Sequence, residues 1–114
     1  HRGDVHSDHR IIFDAVVACV KCFRYPEIQK VMAYETPSET EFGLSYEKFF
    51  RPNVYNDISK YLNKKTEIMK IYSSEIGDFP FPRSIEAIKS LAKWRGANSG
   101  FAAAEAFDLL LERS

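Results

Sequence analysis

The three histidines of the chain are crowded into its first nine residues, with two aspartates among them. The histidines are His1, His6 and His9, and the aspartates are Asp4 and Asp8. Neutral imidazole is the commonest metal ligand in proteins, and a nearby carboxylate fixes which ring nitrogen carries the proton. The cluster therefore predicts a metal-binding or catalytic site. The alternatives are a solvated loop with incidental histidines and the remnant of an expression tag.

The spacing of the histidines places His9 on a predicted helix and His6 on the loop that precedes it. His9 lies at the predicted start of a helix, where its ring would be held rigidly. His6 lies three residues earlier on the incoming loop, close enough to act on a substrate bound at the same metal. A catalytic zinc normally has three protein ligands and one open position for water. The remaining ligands must therefore come from elsewhere.

The two cysteines, Cys19 and Cys22, have a Cys-x-x-Cys spacing. A four-thiolate zinc site needs a second pair of cysteines, which the chain lacks. Their position inside an apolar helical stretch favours two buried residues that act as small hydrophobic side chains. A small redox protein is the weaker alternative. Low cysteine usage without a disulfide framework is typical of a reducing cytoplasm, so we expect a cytoplasmic protein.

Length and charge limit the possible classes of protein. The 114 residues are enough for one domain, and 16 basic residues balance 16 acidic ones. A sequence pI of about 7.0 argues against a general nucleic-acid-binding protein. No apolar stretch approaches the ~20 residues of a membrane span. Because the chain begins without Met and carries its chemistry near its first residue, we expect it to be a piece of a longer protein.

Hydrophobic periodicity and turn residues predict the elements along the chain. The first is a helix that is apolar on more than one face, as is typical of a helix buried against a sheet. Helices interleaved with short strands indicate an α/β layered fold. The predictions are a helix over 9–23, strands over 30–35 and 54–58, a helix over 58–76, a helix over 84–94, a flexible loop over 95–100 and an ambiguous tail over 102–112.

Short polar residues predict where the helices begin, because their side chains can accept a hydrogen bond from the first turn. Ser7 or Asp8 is expected to cap the first helix, and Asp57 or Ser59 the second. Ser84 is expected to cap the third helix.

Two further features have two interpretations each. Lys65 interrupts the apolar stripe of the 58–76 helix, either as a lysine whose stem covers apolar surface or as a charge that anchors a loop near a substrate cleft. The aromatic-rich loop over 42–55 could line a sugar site or pack onto the sheet.

Several segments together resemble the PIG-L/LmbE-like zinc deacetylases, which remove N-acetyl groups from amino sugars. Residues 3–10, Gly-Asp-Val-His-Ser-Asp-His-Arg, resemble the His-x-Asp-His segment that opens a helix in this family. The resemblance spans essentially the whole chain. The further matching segments are 34–38, 50–58, 64–65, 72–75, 95–96 and 104–107. The resemblance also implies that the ambiguous tail is a strand.

The resemblance implies roles for three residues. His9 would be a zinc ligand. His6 would stabilise the tetrahedral intermediate and move a proton, and Asp8 would orient His6. Ser7 stands where many relatives have proline, which is a minor change in loop stiffness.

The resemblance also implies which residues, cofactor and substrate the complete enzyme would have. The chain lacks the Ala-His-Pro-Asp-Asp-type motif that supplies the other zinc ligands and the general base in this family. Residues 1–114 are therefore expected to be the C-terminal part of a single Rossmann-like deacetylase domain, inactive by itself, with Zn²⁺ as cofactor and an N-acetylated amino sugar as substrate. A partial domain exposes apolar surface, so we expect a homo-oligomer. The alternative is a non-catalytic module for assembly or ligand binding.

Overall fold

The computed structural model describes residues 1–114 as three α-helices, three β-strands and two short 3-10 helices. The mixed α/β class and the predicted order of the six main elements are confirmed. No helix combines the length and the apolar character needed to cross a membrane. The helices are α1 (Ser7–Cys19), α2 (Leu62–Ile71) and α3 (Ile85–Ala97), the strands are β1 (Lys30–Tyr34), β2 (Val54–Asp57) and β3 (Ala104–Glu112), and the 3-10 helices are Tyr46–Lys48 and Ser73–Glu75.

The three strands form one antiparallel sheet in the order β1-β3-β2. β1 pairs with β3 from Lys30 opposite Glu112 to Tyr34 opposite Phe107, and an ion pair of 2.6 Å joins Lys30 and Glu112. The tail of the chain is thus a strand, as the resemblance implied, rather than a helix.

The chain divides into two units, His1–Val54 with Phe107–Ser114 and Tyr55–Ala106. The second unit contains five of the six buried apolar residues, and four of these are alanines that lie on α3, directly before β3 or at its start. Small side chains allow the backbones of two elements to approach closely. The buried apolar residues of this unit are Ile88, Ala92, Ala103, Ala104 and Ala106.

The third helix begins where the sequence predicts. The Ser84 hydroxyl oxygen accepts a hydrogen bond of 3.1 Å from the Ala87 N–H, which satisfies one of the free donors of the first turn. The helix continues to Ala97, so the prediction of a flexible loop over 95–100 is wrong at its start. Gly96 lies inside the last turn, where a Cβ would come within 2.6 Å of the Phe101 carbonyl oxygen. The close approach of residue 96 to the Phe101 backbone, rather than a need for flexibility, explains why this residue is a glycine.

The predicted cap of the second helix is wrong. The Asp57 carboxylate accepts hydrogen bonds from the Ser59 hydroxyl and from the Ser59 N–H, and these bonds lower the pKa of Asp57. The two residues therefore satisfy each other in a turn before the helix. α2 begins only at Leu62, after Tyr61, whose side chain makes no capping bond.

The first helix is exposed, which corrects the prediction of a buried helix. α1 contains no buried residue, and Ile11 and Ile12 are 65% and 61% exposed. The apolar residues of α1 share a cavity with β1 instead of packing closely against it. Cys19 and Cys22 are both exposed, so their interpretation as buried residues is wrong. Since α1 ends at Cys19, Cys22 lies outside the helix.

A strained turn follows β1. The Glu39 N–H donates to the Thr36 carbonyl oxygen at 3.0 Å, which closes the turn over Thr36, Pro37, Ser38 and Glu39. Ser38 has a φ of 80° and is the only residue other than glycine with a positive φ. This third position of the turn normally favours glycine, because a Cβ is crowded there.

Replacing Ser38 with glycine is expected to stabilise the protein. The substitution removes a left-handed backbone cost of about 1 kcal/mol, and the Ser38 N–H can still donate to Glu41. Urea unfolding measures the change. The matched control is Ser45→Gly, because Ser45 has an ordinary φ of −92° and should only lose stability. A Ser38→Gly protein that loses as much stability as Ser45→Gly would show that Ser38 is not strained.

Candidate functional site

The start of α1 holds His6 and His9. His6 is the N-cap residue, and its Nδ1 accepts a hydrogen bond of 3.1 Å from the Asp8 N–H. The helix therefore begins one residue earlier than a Ser7 cap predicts and two residues earlier than an Asp8 cap predicts, because the imidazole takes the capping role. The rings of His6 and His9 stack with centroids 5.1 Å apart and planes inclined by 26°. The two predicted site histidines are thus adjacent in space.

A buried carboxylate lies behind His9. Asp4 is only 1% exposed, and its Oδ2 lies 2.8 Å from Nδ1 of His9. Its other oxygen, Oδ1, accepts a hydrogen bond of 2.7 Å from the Thr40 hydroxyl. The amino nitrogen of His1 lies 3.6 Å from Oδ2. Both carboxylate oxygens are therefore engaged, as a buried charge requires.

The loop before α1 is fixed by backbone contacts as well. The Arg10 guanidinium donates to the carbonyl oxygens of Asp4 and Val5, at 3.2 and 2.7 Å. The Val5 N–H donates to the Glu39 carbonyl oxygen at 3.2 Å, which joins the loop to the strained turn. These bonds hold the backbone of the histidine segment at Asp4 and Val5.

A cavity of about 130 Å³ opens beside His9. His1, Asp4 and His9 line one part of it, and the rest of the lining is mainly apolar. An apolar cavity with a few convergent polar groups is the usual form of a small-molecule site. The apolar side chains come from α1, β1 and β3, and they include Ile12, Phe13, Val16, Val31 and Leu110.

Asp8 lies apart from the buried contacts. Its side chain is 72% exposed, and its Oδ1 lies 4.0 Å from Nδ1 of His6, beyond hydrogen-bonding distance. The Asp8 backbone, rather than its carboxylate, makes the bond to His6.

Asp4 is the residue that sequence reasoning left without a role. Its position within the histidine cluster was a signal, since Asp4 lies five residues before His9. Its second partner was not predictable, because Thr40 is 36 residues away along the chain. Only the folded loop brings the two together.

The donor set fits a contribution to a metal site rather than a complete one. No group of three or more His, Cys, Asp or Glu side chains in the chain is arranged to hold a metal ion. Nδ1 of His9 faces Asp4, so Nε2 is the nitrogen of that ring available to a metal. Within residues 1–114, the structure therefore offers one imidazole whose orientation is fixed by Asp4.

Lys65 forms an ion pair within the second unit. Its Nζ lies 2.6 Å from Oε1 of Glu105 on β3, and both side chains are 39% exposed. A second cavity, of about 290 Å³, is lined by this pair together with Tyr61 and Lys64. The ion pair accounts for a lysine within the apolar stripe of α2.

Compared with protein-family models, with curated proteins and with solved structures, the chain matches none.

Proposed function

We propose that this chain is part of a zinc-dependent hydrolase that removes the N-acetyl group from an amino sugar or its glycoconjugate. The observation that carries the proposal is the pair of stacked histidines, one of them held by a buried carboxylate beside an apolar cavity. The sequence resemblance supplies the reaction class. A Rossmann-like arrangement of the complete domain, a cytoplasmic location and self-association belong to the same proposal.

In this function His9 would hold the metal through Nε2, because its Nδ1 faces Asp4. A bound zinc ion polarises a substrate carbonyl and lowers the pKa of its water. The Asp4 carboxylate keeps the proton on Nδ1 of His9 and strengthens the imidazole as a ligand. The remaining ligands and the general base belong to residues outside 1–114.

His6 supplies a hydrogen-bond donor beside His9. Because its Nδ1 accepts the Asp8 N–H, the proton of the neutral ring lies on Nε2. That N–H can donate to the negative charge that develops on the carbonyl oxygen when the amide is attacked. Passing a proton to the leaving amine would require a doubly protonated His6, which would give up the hydrogen bond from the Asp8 N–H.

The test is acetate release by the natural protein that contains this chain. The metal is removed with a chelator, zinc is restored, and acetate is measured with N-acetylglucosamine and its glycosides as substrates. We expect release that depends on zinc. Residues 1–114 alone should release no acetate. A zinc-loaded natural protein that deacetylates no amino sugar would contradict the proposal.

A non-catalytic assembly module is the second candidate, and the exposed apolar residues favour it. Ile11 and Ile12 on α1 and Phe23 after it are 61% to 77% exposed, which is typical of a surface that another polypeptide covers. Light scattering of the natural protein and of its Ile11→Lys variant tests this reading. Dissociation of an assembly without any zinc-dependent activity in the natural protein would favour the module.

A further inference from the structure

Asp4 is the only fully buried acidic side chain of the chain. Moving an ionised carboxylate out of water is costly unless hydrogen bonds or charges compensate it. Its burial therefore has to be explained by its polar neighbours, which are His9 and Thr40 at hydrogen-bonding distance and the backbone nitrogen of His1 at 3.6 Å.

We propose that Asp4, supported by Thr40, is a positioning residue that sets the tautomer and the ring plane of His9. An ionised carboxylate accepts hydrogen bonds and donates none, so the 2.8 Å contact places the proton of His9 on Nδ1. The lone pair then lies on Nε2. This inference rests on the proposed function, because a fixed Nε2 matters only if that atom binds a metal.

Thr40 fixes Asp4 in turn. Its hydroxyl donates to Oδ1 of Asp4 at 2.7 Å and accepts the Thr36 N–H at 2.8 Å, so its single proton can point only at the carboxylate. Thr36 and Thr40 flank Ser38, which has the positive φ. Thr40 thus holds Oδ1 of Asp4 while His9 contacts Oδ2, and the ring of His6 stacks on the ring of His9.

The alternative is a purely structural role, in which Asp4 stabilises the loop without affecting the chemistry of His9. The two roles differ in what they predict for the ring nitrogens. A structural role changes the free energy of unfolding, whereas a positioning role also changes the tautomer of His9 and its affinity for zinc.

The experiment uses the full-length natural protein with ¹⁵N-labelled histidine, examined by NMR without metal at a pH where the rings are neutral. The wild-type protein should show His9 with its proton on Nδ1. In Asp4→Asn the amide can present either its oxygen or its NH₂ group to the ring, so both tautomers should appear. Zinc affinity, measured by calorimetry with zinc alone, should fall about 10- to 100-fold.

Three further variants keep the test decisive if Asp4→Asn folds poorly. Thr40→Val retains the shape but removes the donor to Asp4, and it should weaken zinc binding, whereas Thr40→Ser should restore it. Thr66→Val is the matched control, because the buried Thr66 hydroxyl only donates within α2 to the Asn63 carbonyl oxygen. It should leave zinc affinity unchanged.

The outcomes distinguish this inference from the proposed function. A wild-type His9 with its proton on Nε2, or an Asp4→Asn protein with unaltered tautomer and zinc affinity, would overturn the inference. If Asp4→Asn mixes the tautomers while the wild-type protein binds no zinc, the positioning role of Asp4 stands and the proposed function fails.

Discussion

Replacing His9 with alanine is expected to remove bound zinc and deacetylase activity together in the natural protein that contains this chain. In the proposed function His9 would offer Nε2 to the metal, and the loss of one of three protein ligands breaks the coordination of a catalytic zinc ion. Zinc content by atomic absorption and acetate release are measured on the same preparation. Activity and metal content should fall in proportion.

The matched variant is His6→Ala. The ring of His6 stacks on the ring of His9, but His6 is proposed to act on the substrate rather than on the metal. It should keep zinc nearly stoichiometric while kcat falls by ~10²-fold or more, the scale for removing a general acid or an oxyanion donor. Asp8→Asn should have a milder effect than His6→Ala, since the backbone N–H of residue 8 still orients the ring. Loss of zinc in His6→Ala with retention in His9→Ala would reverse the two roles, and unaltered activity in both would refute the deacetylase proposal.

Replacing Gly96 with alanine is expected to destabilise the protein by about 3 kcal/mol, the upper end of overpacking costs. A Cβ at this position would lie 2.6 Å from the Phe101 carbonyl oxygen and 2.8 Å from backbone atoms of Ala103. These are backbone atoms, so no side-chain rotation can relieve the overlap. In an ordinary helix interior the same substitution stabilises by about 1 kcal/mol, so the sign of the effect is diagnostic. Urea unfolding measures it.

Gly100→Ala is the control for Gly96→Ala. Gly100 has a φ of 79° but no atom within 4 Å of a built Cβ, so only its backbone conformation opposes the substitution. Its expected cost is about 1 kcal/mol. If Gly96→Ala costs no more than Gly100→Ala, the close approach of α3 to residues 101–103 does not occur in solution.

The parts of the fold that were predictable from the sequence depend on local signals. Ser84 caps α3 because its hydroxyl reaches the N–H three residues later, and Ile88 and Ala92 are buried at the helical spacing that predicted them. Such contacts lie within one turn of a helix, so the order of the residues is enough to anticipate them. The adjacency of His6 and His9 was predictable for the same reason.

The parts that were not predictable depend on distant partners. α1 is apolar on several faces, which predicts burial, but no local rule states which segment of a chain will cover it. The buried Asp4 is a second example, because its partner Thr40 belongs to a turn that follows β1. Asp57 and Ser59 are a third example of an outcome that the sequence did not predict. Both are good capping residues, but they hydrogen-bond to each other, and α2 begins after them at Leu62.

The central position of β3 has a consequence for how the chain is made. β3 lies between β1 and β2 in the sheet but follows both of them in the chain. During synthesis neither β1 nor β2 can pair with β3 until residues 104–112 have left the ribosome. Until then β1 and β2 present unpaired edges, which are the segments most prone to pair with other nascent chains. β1 and β2 are therefore expected to depend on a chaperone until β3 has emerged, and a stop codon before residue 104 should yield aggregates rather than a smaller folded protein.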